Sequence, residues 1–231
     1  MSEPFEVAIA HPHLDSVGAL LDEPLGTARA SAILLAHGAG IDMQHPWMAS
    51  LAAALAARGF RVMRFRYPYM ERASREGKPM PPDRTAVLED AHAAVFEAFA
   101  RRTRARRRLL AGKSLGGRIA THLAAKGCDA HGLVVLGFPL HPPRAPEKQR
   151  SEHFPAIVQP GLFLHGTRDE FATPDEMRAA LTRYAGRSTL SIVEGGNHSF
   201  ELPAARRVAL PEVLADLAGR IAEWDESTWP E

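Results

Sequence analysis

The sequence predicts an α/β fold: a doubly wound, mostly parallel eight-stranded sheet with helices on both faces. Short apolar runs alternate with segments of helical periodicity from one end of the chain to the other. A glycine-flanked serine, Ser114, follows the central apolar run, and two later runs lead into loops that carry Asp169 and His198. Continuous apolar runs are typical of parallel strands, because helices cover both faces of such a sheet.

The first half of the chain is predicted to open with a β-hairpin, in which residues 11–13 (His-Pro-His) form a turn rather than a metal site. The next helix carries Trp47 and Leu51 on one face and ends at Gly59. A Pro-rich loop occupies the stretch between the fourth strand and the second helix. The predicted strands are 5–10, 17–21, 32–36 and 60–67, and the predicted helices are 46–58 and 84–100.

In the second half, the helix after the serine is expected to end near Gly127, and Thr173 and Glu176 form a capping box that opens a later helix. The last helix begins at Pro211. Residues 138–159 are rich in proline, histidine and charge, which indicates an open loop and no cap domain. The predicted strands are 108–111, 133–137, 162–165 and 189–193.

Composition agrees with one α/β domain over residues 1–231. With 45% hydrophobic residues, the chain can bury about 70% of its unfolded surface without a disulfide scaffold. Its single cysteine, Cys128, cannot form an intrachain bridge and is expected to contribute to packing. The sequence shows no signal-peptide pattern and no apolar run of membrane-spanning length, so a cytoplasmic protein without a membrane partner is expected.

Residues 112–117 (Gly-Lys-Ser-Leu-Gly-Gly) have the pattern of a nucleophile elbow around Ser114. Gly112 and Gly116 remove side chains that would collide with the neighbouring backbone in a tight strand-to-helix turn. A phosphate-binding loop is rejected, because Arg107 stands where that motif requires a glycine. From these residues alone, a glycine-rich turn whose serine is only a helix cap remains the alternative.

Two later loops carry the other candidate site residues. Asp169 and His198 each follow an apolar strand, as Ser114 does, and the carboxyl ends of parallel strands meet at one edge of a sheet. The order Ser, Asp, His resembles that of the α/β-hydrolase superfamily, over essentially the whole chain. More narrowly, the chain is similar to the small, lidless dienelactone-hydrolase-like branch. Its Gly-Lys-Ser-x-Gly-Gly elbow is also similar to that of a group related to a subunit of eukaryotic histone-acetylation complexes.

The resemblance implies Ser114 as nucleophile, His198 as general base and then acid, and Asp169 as the carboxylate that orients the imidazole. Glu170 is the rival acid. Asp169 is favoured because it ends the segment 165–169 (His-Gly-Thr-Arg-Asp), where the family places its acid. Dienelactone hydrolases carry a nucleophilic cysteine where this chain has its serine, so a dienelactone substrate does not follow.

The resemblance also implies an oxyanion hole made of backbone N–H groups. Leu115, the residue after the nucleophile, supplies one N–H, and Ala39 supplies the other, with Gly40 as an alternative donor. The competing interpretation of His37 and Gly38, which precede Ala39, is a plain strand-ending turn.

These features favour a serine hydrolase that acts on a small-molecule ester, thioester or related acyl substrate. No cofactor and no metal are expected, because neither His141 nor His153 has a partner at metal-ligand spacing. The alternative is a binding or scaffold protein that retains the fold with little catalysis. The physiological substrate and the oligomeric state do not follow from the sequence.

Two basic segments raise the question of charged partners. Residues 101–108 contain six arginines in eight positions, a density that could bind nucleic acid. A formal net charge of +1 and a place at a predicted helix C-terminus favour a solvated face, so no nucleic acid is expected. Four basic residues after the fourth strand could favour an acidic substrate, with a solvated loop as the preferred interpretation; they are Arg66, Arg72, Arg75 and Lys78.

Overall fold

Eight strands and six α-helices alternate along the computed structural model, which describes residues 2–230. The strands are β1 (Ser2–His11), β2 (Leu14–Asp22), β3 (Ser31–Ala36), β4 (Arg61–Phe65), β5 (Arg107–Lys113), β6 (Gly132–Leu136), β7 (Gly161–Gly166) and β8 (Ser188–Val193). The helices are α1 (Pro46–Ala56), α2 (Pro68–Glu76), α3 (Thr85–Thr103), α4 (Leu115–Ala125), α5 (Pro174–Leu181) and α6 (Leu210–Thr228).

All eight strands form one sheet in the order β1-β2-β4-β3-β5-β6-β7-β8. The pairs β1–β2 and β2–β4 are antiparallel, and every later pair is parallel. The predicted doubly wound, mostly parallel eight-stranded sheet is therefore confirmed. In the register of β5, Gly112 lies opposite Ala36 of β3 and Lys113 lies opposite Leu136 of β6. The carboxyl end of β5 consequently emerges between two neighbours, at the centre of the sheet edge.

Helices cover both faces of the sheet, as predicted. Alternate residues of β3 point to opposite sides, so Ile33 and Leu35 belong to one apolar cluster and Leu34 to the other. The first cluster receives α1 and α6, through the buried side chains Leu51, Leu55, Leu217 and Ile221. The second receives α3 and α4, through the buried side chains Leu88, Val95, Phe99, Ile119 and Leu123. Each such side chain contributes about 1.5–3 kcal/mol by leaving water.

The prediction of a Pro-rich loop after β4 is wrong over Pro68–Glu76, which form α2. Pro68 occupies the first helical turn, where its missing N–H removes no helical hydrogen bond. Gly77, at φ 65°, ends the helix in the left-handed conformation. The side chain of Glu71 is buried and accepts the N–H of Gly18 at 3.0 Å. That tertiary contact attaches α2 to β2.

Residues 138–159 contain one short 3-10 helix, Phe154–Ala156, and no inserted helical cap within the described chain. Phe154 and Ile157 are buried against the core, so the segment lies on the sheet rather than above it. The expected turn at residues 11–13 and the capping box of Thr173 with Glu176 are both present. No helix in residues 2–230 is long and apolar enough to cross a membrane.

The arginines of residues 101–108 lie at the end of α3 and the start of β5, at the sheet edge opposite Ser114. Several of them contact acidic or aromatic groups. Arg101 approaches Glu97, Arg102 pairs with Glu3 and lies 4.1 Å from the Phe5 ring centroid, and Arg108 pairs with Asp129 at 2.6 Å. The absence of a nucleic-acid partner stays a prediction. Cys128 packs against the core, and burial raises the pKa of its thiol to about 11.

A one-residue turn at Ser114 joins β5 to α4, with φ 49° and ψ −113°, a conformation that few non-glycine residues adopt. A Cβ on Gly112 would lie 2.3 Å from the carbonyl carbon of Gly116. One on Gly116 would lie 2.5 Å from the carbonyl oxygen of Ala36. Glycine is required at both positions because three backbone segments approach more closely than a side chain allows.

Replacing Gly112 with Ala is expected to destabilise the fold by about 3 kcal/mol or more, since the new methyl meets backbone that cannot rotate away. Chemical denaturation would measure the loss. The matched control is Gly26→Ala, where an added Cβ has nothing within 4 Å, and it should change the free energy of unfolding by less than about 1 kcal/mol. Equal stability of the two variants would contradict the close-approach argument.

Candidate active site

The structure brings Ser114, His198 and Asp169 together at the carboxyl edge of the sheet, from the loops that follow β5, β8 and β7. His198 Nε2 lies 2.8 Å from Ser114 Oγ. On the other side of the ring, Nδ1 lies 2.8 Å from Asp169 Oδ2 and 3.0 Å from Oδ1. Hydroxyl, imidazole and carboxylate therefore form one continuous hydrogen-bonded chain.

The hydrogen-bond partners of His198 show which ring nitrogen carries the proton. The Asp169 side chain is 0% exposed and that of His198 is 17% exposed. A carboxylate accepts only, so Nδ1 of His198 donates to it, which leaves Nε2 free to accept the serine proton. Asp169 Oδ1 also accepts the N–H of Phe171 at 2.9 Å, and the Phe171 ring lies 4.2 Å from the imidazole. Glu170 is exposed, so the structure places Asp169 and not its rival against the histidine.

Ser114 is anchored through its backbone on both sides. Its N–H donates to the carbonyl of Leu136 in β6 at 2.9 Å, and its carbonyl accepts the N–H of Arg118 in α4 at 2.9 Å. Leu115 is the first residue of α4. Because N–H groups of the first helical turn have no partner within the helix, the Leu115 N–H is available next to the hydroxyl. The positive end of the helix dipole reinforces it.

The loop after β3 lies directly over the serine. A Cβ on Gly38 would lie 3.6 Å from Ser114 Cβ, which is van der Waals distance, so this loop packs against the elbow. His37, fully buried beneath it, accepts the N–H of Tyr67 at Nε2 with a distance of 3.0 Å. Its Nδ1 lies 2.8 Å from the carbonyl oxygen of Gly38. With Nε2 accepting, Nδ1 is the protonated nitrogen and donates to that carbonyl.

This contact orients the next peptide. Burial lowers the pKa of His37 to about 4, so the ring stays neutral near pH 7 and keeps one tautomer. A trans peptide is planar, so the Gly38 carbonyl and the Ala39 N–H point in opposite directions. Holding the carbonyl against His37 therefore turns the Ala39 N–H away from the core. Ala39 and Gly40, the two candidate donors, form an exposed turn in which Gly40 has φ 78°.

A groove of about 370 Å³ begins at Gly40 and runs along α2. Its wall is mixed, with apolar side chains beside a carboxylate and an ammonium. The lining includes Asp42, Met70, Ala73, Lys78, Pro79 and Met80. Gly40 is the residue that links this groove to the loop after β3; Ser114 and His198 are not part of its lining.

The basic residues around α2 form ion pairs. Each lies against a carboxylate: Arg66 against Asp42 at 3.0 Å, Arg72 against Asp83 at 2.7 Å, Arg75 against Glu71 at 3.1 Å, and Lys78 against Glu76 at 2.7 Å. These pairings leave none of the four cations free for an acidic substrate, but the expected solvated loop is wrong in part, because Pro68–Glu76 form α2 and the Arg66 and Arg72 side chains are only 15% and 20% exposed. Of the two loop histidines, His141 contacts Glu176 of α5, and His153 contacts Thr121 of α4 at 2.9 Å. Burial lowers the pKa of His153 to about 4.

The sequence pattern indicates the three polar residues of this site but not the residues that hold them in place. Phe171 against the imidazole, His37 under the loop after β3, and Lys113 beside the serine were given no role. A histidine between a strand and a glycine was the one available signal for His37. The contacts of Phe171 and Lys113 join elements far apart in sequence, and no local pattern indicates them.

Solved structures with the same architecture include a dienelactone hydrolase, an α/β serine hydrolase without lid and an esterase. A dienelactone hydrolase from Anabaena variabilis is 19% identical, with a TM-score of 0.72, and the match covers 96% of both chains. A member of the α/β serine hydrolases without lid from Xanthomonas campestris is 18% identical, with a TM-score of 0.71, covering 100% of this chain and 96% of that one. A Pyrococcus furiosus esterase is 11% identical, with a TM-score of 0.72, covering 100% and 91%.

The family assignment rests on more than the likeness in fold. Residues 29–226 match the family described as alpha/beta hydrolase domain, a span that runs from just before β3 to within α6 and includes the elbow and both later loops. With the strand order and the sharp turn at Ser114, this match shows that the chain belongs to the α/β hydrolase domain family.

Proposed function

We propose that this protein is a serine hydrolase that cleaves small esters, thioesters or related acyl compounds through an acyl-enzyme. The observation that carries the proposal is the hydrogen-bonded chain from Ser114 Oγ through His198 to Asp169, with distances of 2.8 Å on both sides of the ring. Its order and geometry are those of a Ser-His-Asp triad.

In the first step, Ser114 Oγ attacks the substrate carbonyl carbon while His198 Nε2 takes the hydroxyl proton. The buried carboxylate of Asp169 stabilises the imidazolium that forms and keeps Nδ1 protonated. The tetrahedral intermediate collapses when the carbon–oxygen or carbon–sulfur bond to the leaving group breaks. His198 then gives its proton to the departing group, which leaves the acyl ester on Ser114.

In the second step, water attacks the acyl-enzyme with His198 again as the base, which releases the acid and restores the serine. Negative charge develops on the carbonyl oxygen in both steps. We assign the Leu115 N–H as one donor to that oxygen and the Ala39 N–H as the other, supported by the helix start and by the peptide that His37 orients. Removing one such donor typically slows hydrolysis about 10²- to 10³-fold.

The substrate we propose is small, because the site is open. The loop over residues 138–159 folds down on the core, and the groove beside Gly40 offers about 370 Å³ to the acyl or leaving group. The proposed steps use side chains, backbone N–H groups and water only. No cofactor, metal ion, nucleic acid or membrane enters them.

Ser114→Ala is expected to abolish turnover and leave the fold intact, because alanine is small enough for the turn. The rate should fall by about 10⁴-fold or more. A fluorophosphonate probe, followed by mapping of the modified residue, should label Ser114 in the wild type and nothing in the variant. A wild type that the probe leaves unlabelled and that hydrolyses no activated ester would favour the scaffold alternative. Robust hydrolysis by folded Ser114→Ala protein would overturn the mechanism.

Asp169→Asn is expected to keep the shape of the site while removing the carboxylate that holds the histidine tautomer. Turnover should fall about 10³- to 10⁴-fold with a much smaller effect on KM. The neighbouring Glu170→Gln is the matched control, since Glu170 is exposed, and it should retain most of the wild-type rate. The reverse ranking would transfer the acidic role to Glu170.

Chain-length preference tests the open site. Nitrophenyl acetate and butyrate are expected to react faster than laurate and palmitate, because extra methylenes find little further apolar surface on which to leave water. Rates for each ester should be normalised to hydroxide-catalysed hydrolysis of the same compound. Normalised rates that climb steadily to palmitate would contradict the proposal of small substrates.

A further inference from the structure

Lys113 is a buried cation that the proposed hydrolysis does not use. It is the last residue of β5, directly before Ser114, and only 7% of its surface is exposed. Side chains alternate along a strand, so Gly112 faces α4 and Lys113 projects to the other side of the sheet, toward α1. An ammonium group is costly to bury, so a contact that repays the burial is expected there.

The ammonium reaches the loop that carries His198. Nζ of Lys113 donates to the carbonyl oxygen of His198 at 3.5 Å and lies 5.5 Å from the centroid of the Trp47 ring. Trp47, in turn, donates its Nε1–H to the next carbonyl along, that of Ser199, at 3.0 Å. Two consecutive carbonyls of the histidine loop are thus held by side chains from β5 and α1, and the lysine and tryptophan also contact each other.

The loop needs such support because its backbone is strained. Phe200 is fully buried and has φ 64°, a conformation that is unfavourable for an aromatic residue. Asn197 closes the turn, with its Oδ1 accepting the N–H groups of Ser199 and Glu201 at 2.9 Å each. His198 therefore sits in a tight turn whose position depends on tertiary contacts.

We propose that Lys113 is a positioning residue for the hydrolysis proposed above: its ammonium holds the His198 backbone so that the imidazole stays between Ser114 and Asp169. The role rests on the proposed function, because it is exerted through the base of that mechanism. Lys113 touches neither substrate nor reacting atoms. Its effect is to keep the proton acceptor at hydrogen-bonding distance from the serine in every turnover.

The charge of Lys113 also acts on Asp169, the carboxylate that holds the His198 imidazole. Burial lowers the pKa of Lys113, and the carboxylates of Asp169 and Glu201 oppose that shift. Asp169 lies 2.8 Å from His198 Nδ1, so the buried ammonium and the imidazole share this carboxylate as an electrostatic partner.

The test is Lys113→Met, which keeps the length of the side chain and removes the charge and the donor. We expect kcat to fall about 10- to 100-fold with KM within about twofold of the wild type, since misplacing a catalytic group costs rates of this size. The melting temperature should change little, because the lost hydrogen bond to the His198 carbonyl is offset by removal of a charge that is costly to bury.

Three further variants separate positioning from packing. Lys113→Arg keeps the charge and the hydrogen-bond donor and should recover most of the wild-type kcat. Trp47→Phe keeps an aromatic ring next to Lys113, removes the hydrogen bond to the Ser199 carbonyl, and should also lower kcat. Lys126→Met, at an exposed lysine near the end of α4, is the matched control and should change neither kcat nor KM.

Fluorophosphonate labelling of wild-type Ser114, run in parallel, separates the two proposals. Labelled wild type together with a Lys113→Met protein of unchanged kcat would overturn the positioning role alone. So would a loss of rate that Lys113→Arg does not recover and that follows a fall in melting temperature. A wild type without labelling or turnover would overturn the proposed function, and the positioning role with it.

Discussion

The close approach of three backbone segments at the elbow is the constraint on which the site depends. Gly112 of β5, Gly116 of α4 and the carbonyl of Ala36 in β3 lie so near one another that no Cβ fits between them. This contact forces the turn at Ser114 into φ 49° and lifts its hydroxyl above the sheet edge. It also brings the start of α4, with its free N–H groups, beside the same hydroxyl. The positions of the proposed nucleophile and of one proposed oxyanion donor are therefore consequences of one packing arrangement.

The loops that face the elbow are held by buried polar side chains rather than by secondary structure. His37 donates to the carbonyl of Gly38 and stays neutral because it is buried, which orients the following peptide. Lys113 and Trp47 hold successive carbonyls of the histidine loop. In both places a side chain satisfies a main-chain carbonyl in a segment that has no strand partner there. Each such contact restricts a loop that must hold its geometry to within about 1 Å for catalysis.

Much of the fold was predictable because its signals are local. Strand β3 was predicted at 32–36 and found at Ser31–Ala36, and the capping box of Thr173 with Glu176 opens α5 as expected. Helix α2 was missed because Pro68 and the later prolines indicate a loop, whereas proline is tolerated in a first helical turn. What holds α2 in place is the bond between Glu71 and the Gly18 backbone, 53 residues apart, which no window of sequence contains.

The sequence by itself determined the chemistry that is available: a serine between glycines, an acid and a histidine after two later strands, and the α/β alternation that carries all three to one edge of a sheet. Only the tertiary structure decided which groups meet. It placed Asp169 against His198 and left Glu170 exposed, and it directed Lys113 to the side of the sheet opposite α4. The physical reason is that residue type and local periodicity specify propensities and faces, whereas hydrogen bonds between distant loops depend on strand register and packing.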